Sequence, residues 1–149
     1  MTAEVERAAV VDVSVETVWD LLADPEQRAA AIGIVDSHEL LGESAAGDAI
    51  QWNVEIPIPM LEETIAVRTE ETVKEPPHYV EYTGDSSVFS MTGVHELEEH
   101  EAGALVRNRF TVEGSLPGVE SYFQRAIDEE IDNLIDFVVE HTGATVREV

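Results

Sequence analysis

One stretch dominates this sequence. From Ser115 to Thr142, the apolar residues Val119, Tyr122, Phe123, Ala126, Ile127, Ile131, Leu134, Ile135 and Val138 recur at helical spacing, the pattern of one long amphipathic helix. Ser115 suits the N-cap, Pro117 the first turn, His141 the last turn and Gly143 the exit. About 25 residues of helix extend about 37 Å, enough to cross a small domain. Almost everything upstream alternates as strand, so the chain predicts a sheet curled around this helix.

The upstream elements follow in order. Val5 to Val13 reads as a strand, and Ser14 then caps a short helix that turns Val15, Val18, Trp19 and Leu22 inward. Asp24, Pro25 and Gln27 open a second short helix that ends at Ile32 and Gly33. Six strands are expected next: Val35 to Leu41, Ile50 to Ile56, Thr64 to Val73, Tyr79 to Thr83, Val88 to Glu98, and one around Val106 to Val112. The loop 42–48, Pro57 with Pro59, Pro76 with Pro77, Gly84 with Asp85, and the turn 101–103 separate them. The expected fold is α+β: seven antiparallel strands in a curved sheet gripping a C-terminal helix, with residues 1–149 forming one domain.

Charge narrows the partners. Thirty-two acidic against 8 basic residues give a net charge of -24, and Lys74 is the only lysine. Phosphate contacts need clustered lysine and arginine, so nucleic acid is not expected as a partner, nor is stable anchoring to an anionic membrane. The acids are spread along the chain, as on a solvated surface, and such acid excess with so little lysine resembles proteins of salt-loving cytoplasms. No cysteine is present for disulfide or thiol chemistry, and no signal peptide or membrane span is legible, so a cytoplasmic protein is expected.

Three stretches resemble a known superfamily. Val11 to Glu26, with a Val18-Trp19 pair in the first short helix, is similar to the strand-to-helix start of START-like, helix-grip proteins. Lys74 to Val80 resembles their double-proline turn, and Gly93 to Leu97 with Gly103 their penultimate hairpin. The superfamily includes lipid-transfer domains, polyketide cyclases and dehydrases, plant allergens and ubiquinone-binding proteins. Here Ile32 or Gly33 stands where an aromatic often follows the second helix, and no cyclase or aromatase catalytic set can be carried over. The resemblance implies a cavity between sheet and helix for a hydrophobic small molecule such as a quinone, lipid or polyketide.

Candidate ligand contacts follow from parity and helical phase. Trp52, Phe89, Met91, Phe110, Tyr122, Phe123 and Ile127 would line such a cavity, or would simply be core if it is filled. Tyr82 and Asn108 could orient a ligand or make ordinary core hydrogen bonds. Glu130 interrupts the apolar stripe roughly 40° from its centre; buried, it could act as an acid or hold a ligand hydroxyl, and at the stripe edge it could reach water. His95, on an apolar parity, is a candidate base or hydrogen-bond partner. Carriage of a hydrophobic molecule is the primary expectation, and proton transfer by His95 and Glu130 in a cyclase or dehydratase is the alternative.

No cofactor or metal is expected. His95 and His100 stand five apart on a strand and so face opposite ways, unlike a helical zinc motif, and Asp128, Asp132 and Asp136 form a solvated stripe. The oligomeric state is left open.

Overall fold

A computed structural model describes residues 2–33, 35–43, 47–55, 64–114 and 118–148. Strand β1 (Thr2–Val11) leads into α1 (Val15–Leu22) and α2 (Pro25–Ala31). The strands β2 (Val35–Glu43), β3 (Asp48–Val54), β4 (Ile65–Glu75), β5 (Tyr79–Asp85), β6 (Phe89–His100) and β7 (Gly103–Gly114) then run to α3 (Val119–Thr142) and β8 (Val146–Glu148).

All strand pairs are antiparallel, in the order β2-β3-β4-β5-β6-β7-β1-β8. Among the described residues the sheet has eight strands instead of the expected seven. The addition, β8, pairs Val146 with Val11 and Arg147 with Val10, covering the free edge of β1. Three residues after a helix exit are too few to show a period of two, so sequence pattern missed it. Asp12 fixes the return, accepting from the Thr145 N–H at 2.6 Å while its own N–H donates to the Thr145 carbonyl.

Local chemistry sets the helix boundaries. Ser14 accepts from the Thr17 N–H at 3.2 Å, and the Asp24 carboxylate from the Glu26 N–H at 2.9 Å ahead of Pro25. The long helix starts later than expected: its N-cap is Gly118 at φ 93°, and no side chain caps it. Ser115, Pro117, Pro57 and Pro59 lie outside the described residues. The far end matches expectation, with Gly143 at φ 71° and its N–H donating to the Val139 carbonyl. Gly84 and Asp85, expected to close a strand, continue β5 instead.

Alternating burial along β5, β6 and β7 turns one face of the sheet onto α3. Ile131, Leu134 and Val138 pack there fully buried, while Asp132 and Asp136 are exposed on the opposite side. Register shifts in β2 and near Glu71 in β4 mark local irregularities in the ladder, of the kind that bend strands. No helix among the described residues is long and apolar enough to cross a membrane.

Candidate functional site

The interior has two neighbouring halves. The first is apolar and contains a void of about 30 Å³. β3 contributes Trp52 and Val54, β6 contributes Phe89 and Met91, and β7 contributes Phe110 and Val112. Phe123 and Glu130 of α3 and Ile32 beyond α2 complete the wall. Phe123 lies against Phe89, ring centres 5.2 Å apart. A void of this size would admit a water-sized group, whereas sites for drug-sized ligands run to about 300–1,000 Å³.

Glu130 is buried, 9% exposed, and its carboxylate accepts the Gly33 N–H at 2.7 Å and a hydrogen bond from Asn133. Burial raises its pKa, these two hydrogen bonds oppose the rise, and Glu129 adds to it. The carboxylate therefore ties the segment after α2 to α3.

The second half is polar and knit by hydrogen bonds and ion pairs. His95 and Asn108 are direct partners across β6 and β7, so their side chains share the inner face. His95 Nδ1 meets Asn108 Oδ1 at 2.7 Å, and His95 Nε2 meets the Tyr82 hydroxyl at 3.4 Å. With Oδ1 accepting, the imidazole proton sits on Nδ1 and Nε2 accepts from the phenol. Tyr82 lies over Gly93, its partner on β6, where an added Cβ would run into the ring. Only glycine leaves room for that close approach.

Arg28 lies over this ring, its guanidinium carbon 4.3 Å from the ring centre. It donates to the Leu22 carbonyl at 2.8 Å and pairs with Glu71 at 3.4 Å. Lys74 reaches Glu71 at 3.1 Å and also donates to the Ala23 carbonyl. Arg28 and Glu71 are 1% and 2% exposed. Burial is the largest influence on His95, which is lowered to about 3 with help from the Arg28 charge and against the Asn108 bond. The imidazole is thus neutral near pH 7. Burial likewise pushes the Tyr82 phenol well above its ordinary value, with Arg28 opposing and Glu71 reinforcing.

Among the candidates, Trp52, Phe89, Met91, Phe110, Phe123 and Glu130 meet at the void. Tyr82, His95 and Asn108 form the polar half, and Phe110 stands between the two, its ring centre 6.1 Å from that of His95. Tyr122 is half-buried against Phe123, and the side chain of Ile127 lies outside the described residues. Glu130 lines the void, and His95 is not among the residues that do.

Sequence reasoning missed Arg28 and Glu71. Their signals were present: Arg28 falls on the buried stripe Pro25, Arg28, Ala29, and Glu71 continues the inward parity of Ile65, Val67 and Thr69. Ile32, Val54 and Val112 also escaped the candidate set, although the latter two share parity with Trp52 and Phe110.

No functionally curated protein matches the chain in sequence. Among solved structures it is similar to the Zhui aromatase/cyclase from Streptomyces sp. R1128, at 13% identity and TM-score 0.75, covering 95% of this chain and 93% of that one. A START superfamily protein from Mycobacterium smegmatis matches at 14% identity and TM-score 0.73, over 94% and 97% of the two chains. A protein from Thermus thermophilus matches at 16% and 0.72, over 95% and 99%. At these identities the likeness is one of fold. The profile of one family, polyketide cyclase / dehydrase and lipid transport, matches residues 2–138, and the chain belongs to that family.

Proposed function

We propose that this protein binds a hydrophobic small molecule between the sheet and α3 and carries or senses it without turning it over. The observation that carries this reading is the apolar void bounded by Trp52, Phe110 and Phe123 at the helix–sheet junction. A ligand larger than a few atoms must displace part of the wall, where Met91 has a flexible, unbranched side chain and Phe123 is the aromatic ring contributed by α3. Burying roughly 250 Å² of apolar ligand surface at about 25 cal/mol per Å² gives about 6 kcal/mol before association costs, enough for weak to moderate affinity.

The test is titration with a neutral fluorescent probe, N-phenyl-1-naphthylamine, in molar salt to screen the net charge. Saturable one-to-one binding by the native chain, tightened by Phe123→Ala, is expected. Binding only by Phe123→Ala would instead mean that the native interior is self-filled. A cyclase or dehydratase reading draws on the raised pKa of Glu130 at the void. Under the carrier reading Glu130→Gln leaves probe binding intact and no supplied polyketide is turned over; turnover abolished by this substitution would establish the enzyme.

A further inference from the structure

Away from the helix–sheet interior, the α1–α2 corner, β2 and β4 border an open hollow of about 440 Å³. Trp19, Asp20, Asp24, Glu26, Leu40 and Lys74 are among the residues that line it. Leu40 is 51% exposed, and Leu41, next to it on β2, is 43% exposed. Val73, next to Lys74 on β4, is 36% exposed. These three are the large apolar side chains left exposed among the described residues, and all are at the hollow or one position from a residue that lines it. Scattered apolar exposure needs no explanation, but apolar side chains gathered beside an indole are the usual centre of a protein interface.

Charge decides what could cover it. Asp20, Asp24 and Glu26 are exposed and bring three carboxylates to the rim. Lys74, the cation there among the described residues, is taken by Glu71 at 3.1 Å and by the Ala23 carbonyl at 3.3 Å. Asp24 caps α2, and Glu26 has only the His38 ring 3.5 Å away, which is charged only when protonated. The hollow therefore pairs the apolar side chains of Trp19 and Leu40 with uncompensated negative charge. A second copy, with its own net charge of -24, would bring like charge to that rim. A small cation would leave Leu41 and Val73 uncovered. β2 is the edge strand, but its register breaks at Val35/Ser37 and Leu40/Gly42 ill suit plain strand addition, which leaves side-chain anchoring.

We infer that this corner docks a segment of another protein, one in which an apolar anchor seated between Trp19 and Leu40 is flanked by lysine or arginine side chains that meet Asp20, Asp24 and Glu26. The surface is separate from the void, and its role does not depend on a ligand being bound there.

A short capped peptide, Leu-Phe-Leu between paired lysine and arginine residues, tests this against an analogue with Ser-Gly-Ser at its centre and another with acidic flanks. The chain has two tryptophans, so its indole N–H region in a ¹H–¹⁵N spectrum holds two signals, assigned by Trp19→Phe or, should that variant not fold, by sequential assignment. At physiological ionic strength, where charges more than about 8 Å apart are screened, the basic Leu-Phe-Leu peptide should bind, move the Trp19 signal and leave that of Trp52 in place. Leu40→Ser, or Asp20→Asn with Glu26→Gln, should each weaken it about tenfold. Glu4→Gln with Glu113→Gln, exposed on β1 and β7, removes the same charge and should change nothing. Equal weakening by the two charge-removing pairs, or equal binding of the Ser-Gly-Ser analogue, would reduce the effect to diffuse attraction and overturn the inference. Tighter binding of the acidic analogue would overturn it too, as would a Trp19 shift given equally by butylammonium, which would mark a small-molecule site. Sedimentation of the native chain as a dimer that Leu40→Ser dissociates would assign the corner to a second copy instead. No binding by any peptide would remove the proposal.

Discussion

The apolar half of the interior is held by non-directional contacts around a void of about 30 Å³, and the polar half by directed ones. Around the void, contacts are dispersive and non-directional, so side chains can shift at modest cost. In the polar half, Arg28, Glu71, Tyr82, His95 and Asn108 are each almost wholly buried and joined by directed contacts. Moving one strands the others. On the ligand-binding reading proposed above, the difference favours entry beside Phe123, where no directed contact has to be broken. Phe110 is the divider, touching the void on one side and facing Tyr82 and His95 on the other.

The comparison is most open to being broken at Arg28. Arg28→Met leaves buried Glu71 to Lys74, and should destabilise the fold by about 3–5 kcal/mol in urea unfolding. Arg28→Met with Glu71→Met should recover most of that loss. If the single substitution costs no more than an exposed ion pair, the polar half is not rigid.

Acid offers a second way in. The unfolded chain takes up a proton on His95 near its ordinary 6.5, whereas the folded chain does so only at about 3. Stability associated with the neutral ring is therefore complete above pH 6.5 and falls as pH drops toward 3. Between pH 6.5 and 4.5 the loss should be about 2–3 kcal/mol. Glu130 acts with the opposite sign: its raised pKa favours the folded state when protonated, and that contribution disappears as pH rises through its folded value. His95→Gln should flatten the slope in this window, read from urea midpoints in molar salt. An unchanged slope would mean that other carboxylates dominate.

The smallest effect is expected in the apolar half. Phe123→Leu alters volume beside an existing void and should cost about 1 kcal/mol in the same unfolding assay. A loss as large as that from Arg28→Met would erase the distinction between the halves.

Much of this architecture was legible from residue order. The period of Val119 to Val138, the alternation of Ile50, Trp52 and Val54, and the Ser14 and Asp24 caps are local signals, and the corresponding helices and strand are where they point. The start of α3 was misread because Ser115 and Pro117 look like a helix entry, whereas the N-cap is Gly118. In the candidate site, parity gathered Trp52, Phe89, Met91 and Phe110. It could not separate them from Tyr82, His95 and Asn108, because all share inward parity and differ only in depth along the sheet.

By itself, then, the sequence determined the element order and the inward faces, since each depends on neighbours within a few positions. Only the tertiary structure decided that Arg28 enters the core against Glu71, 43 residues away in the chain. It also decided that Gly33 occupies the Glu130 carboxylate, 97 residues away, and that the Trp52 N–H is left without an acceptor among the described residues. Hydrogen-bond satisfaction depends on what distant segments bring within about 3 Å, which periodicity does not encode.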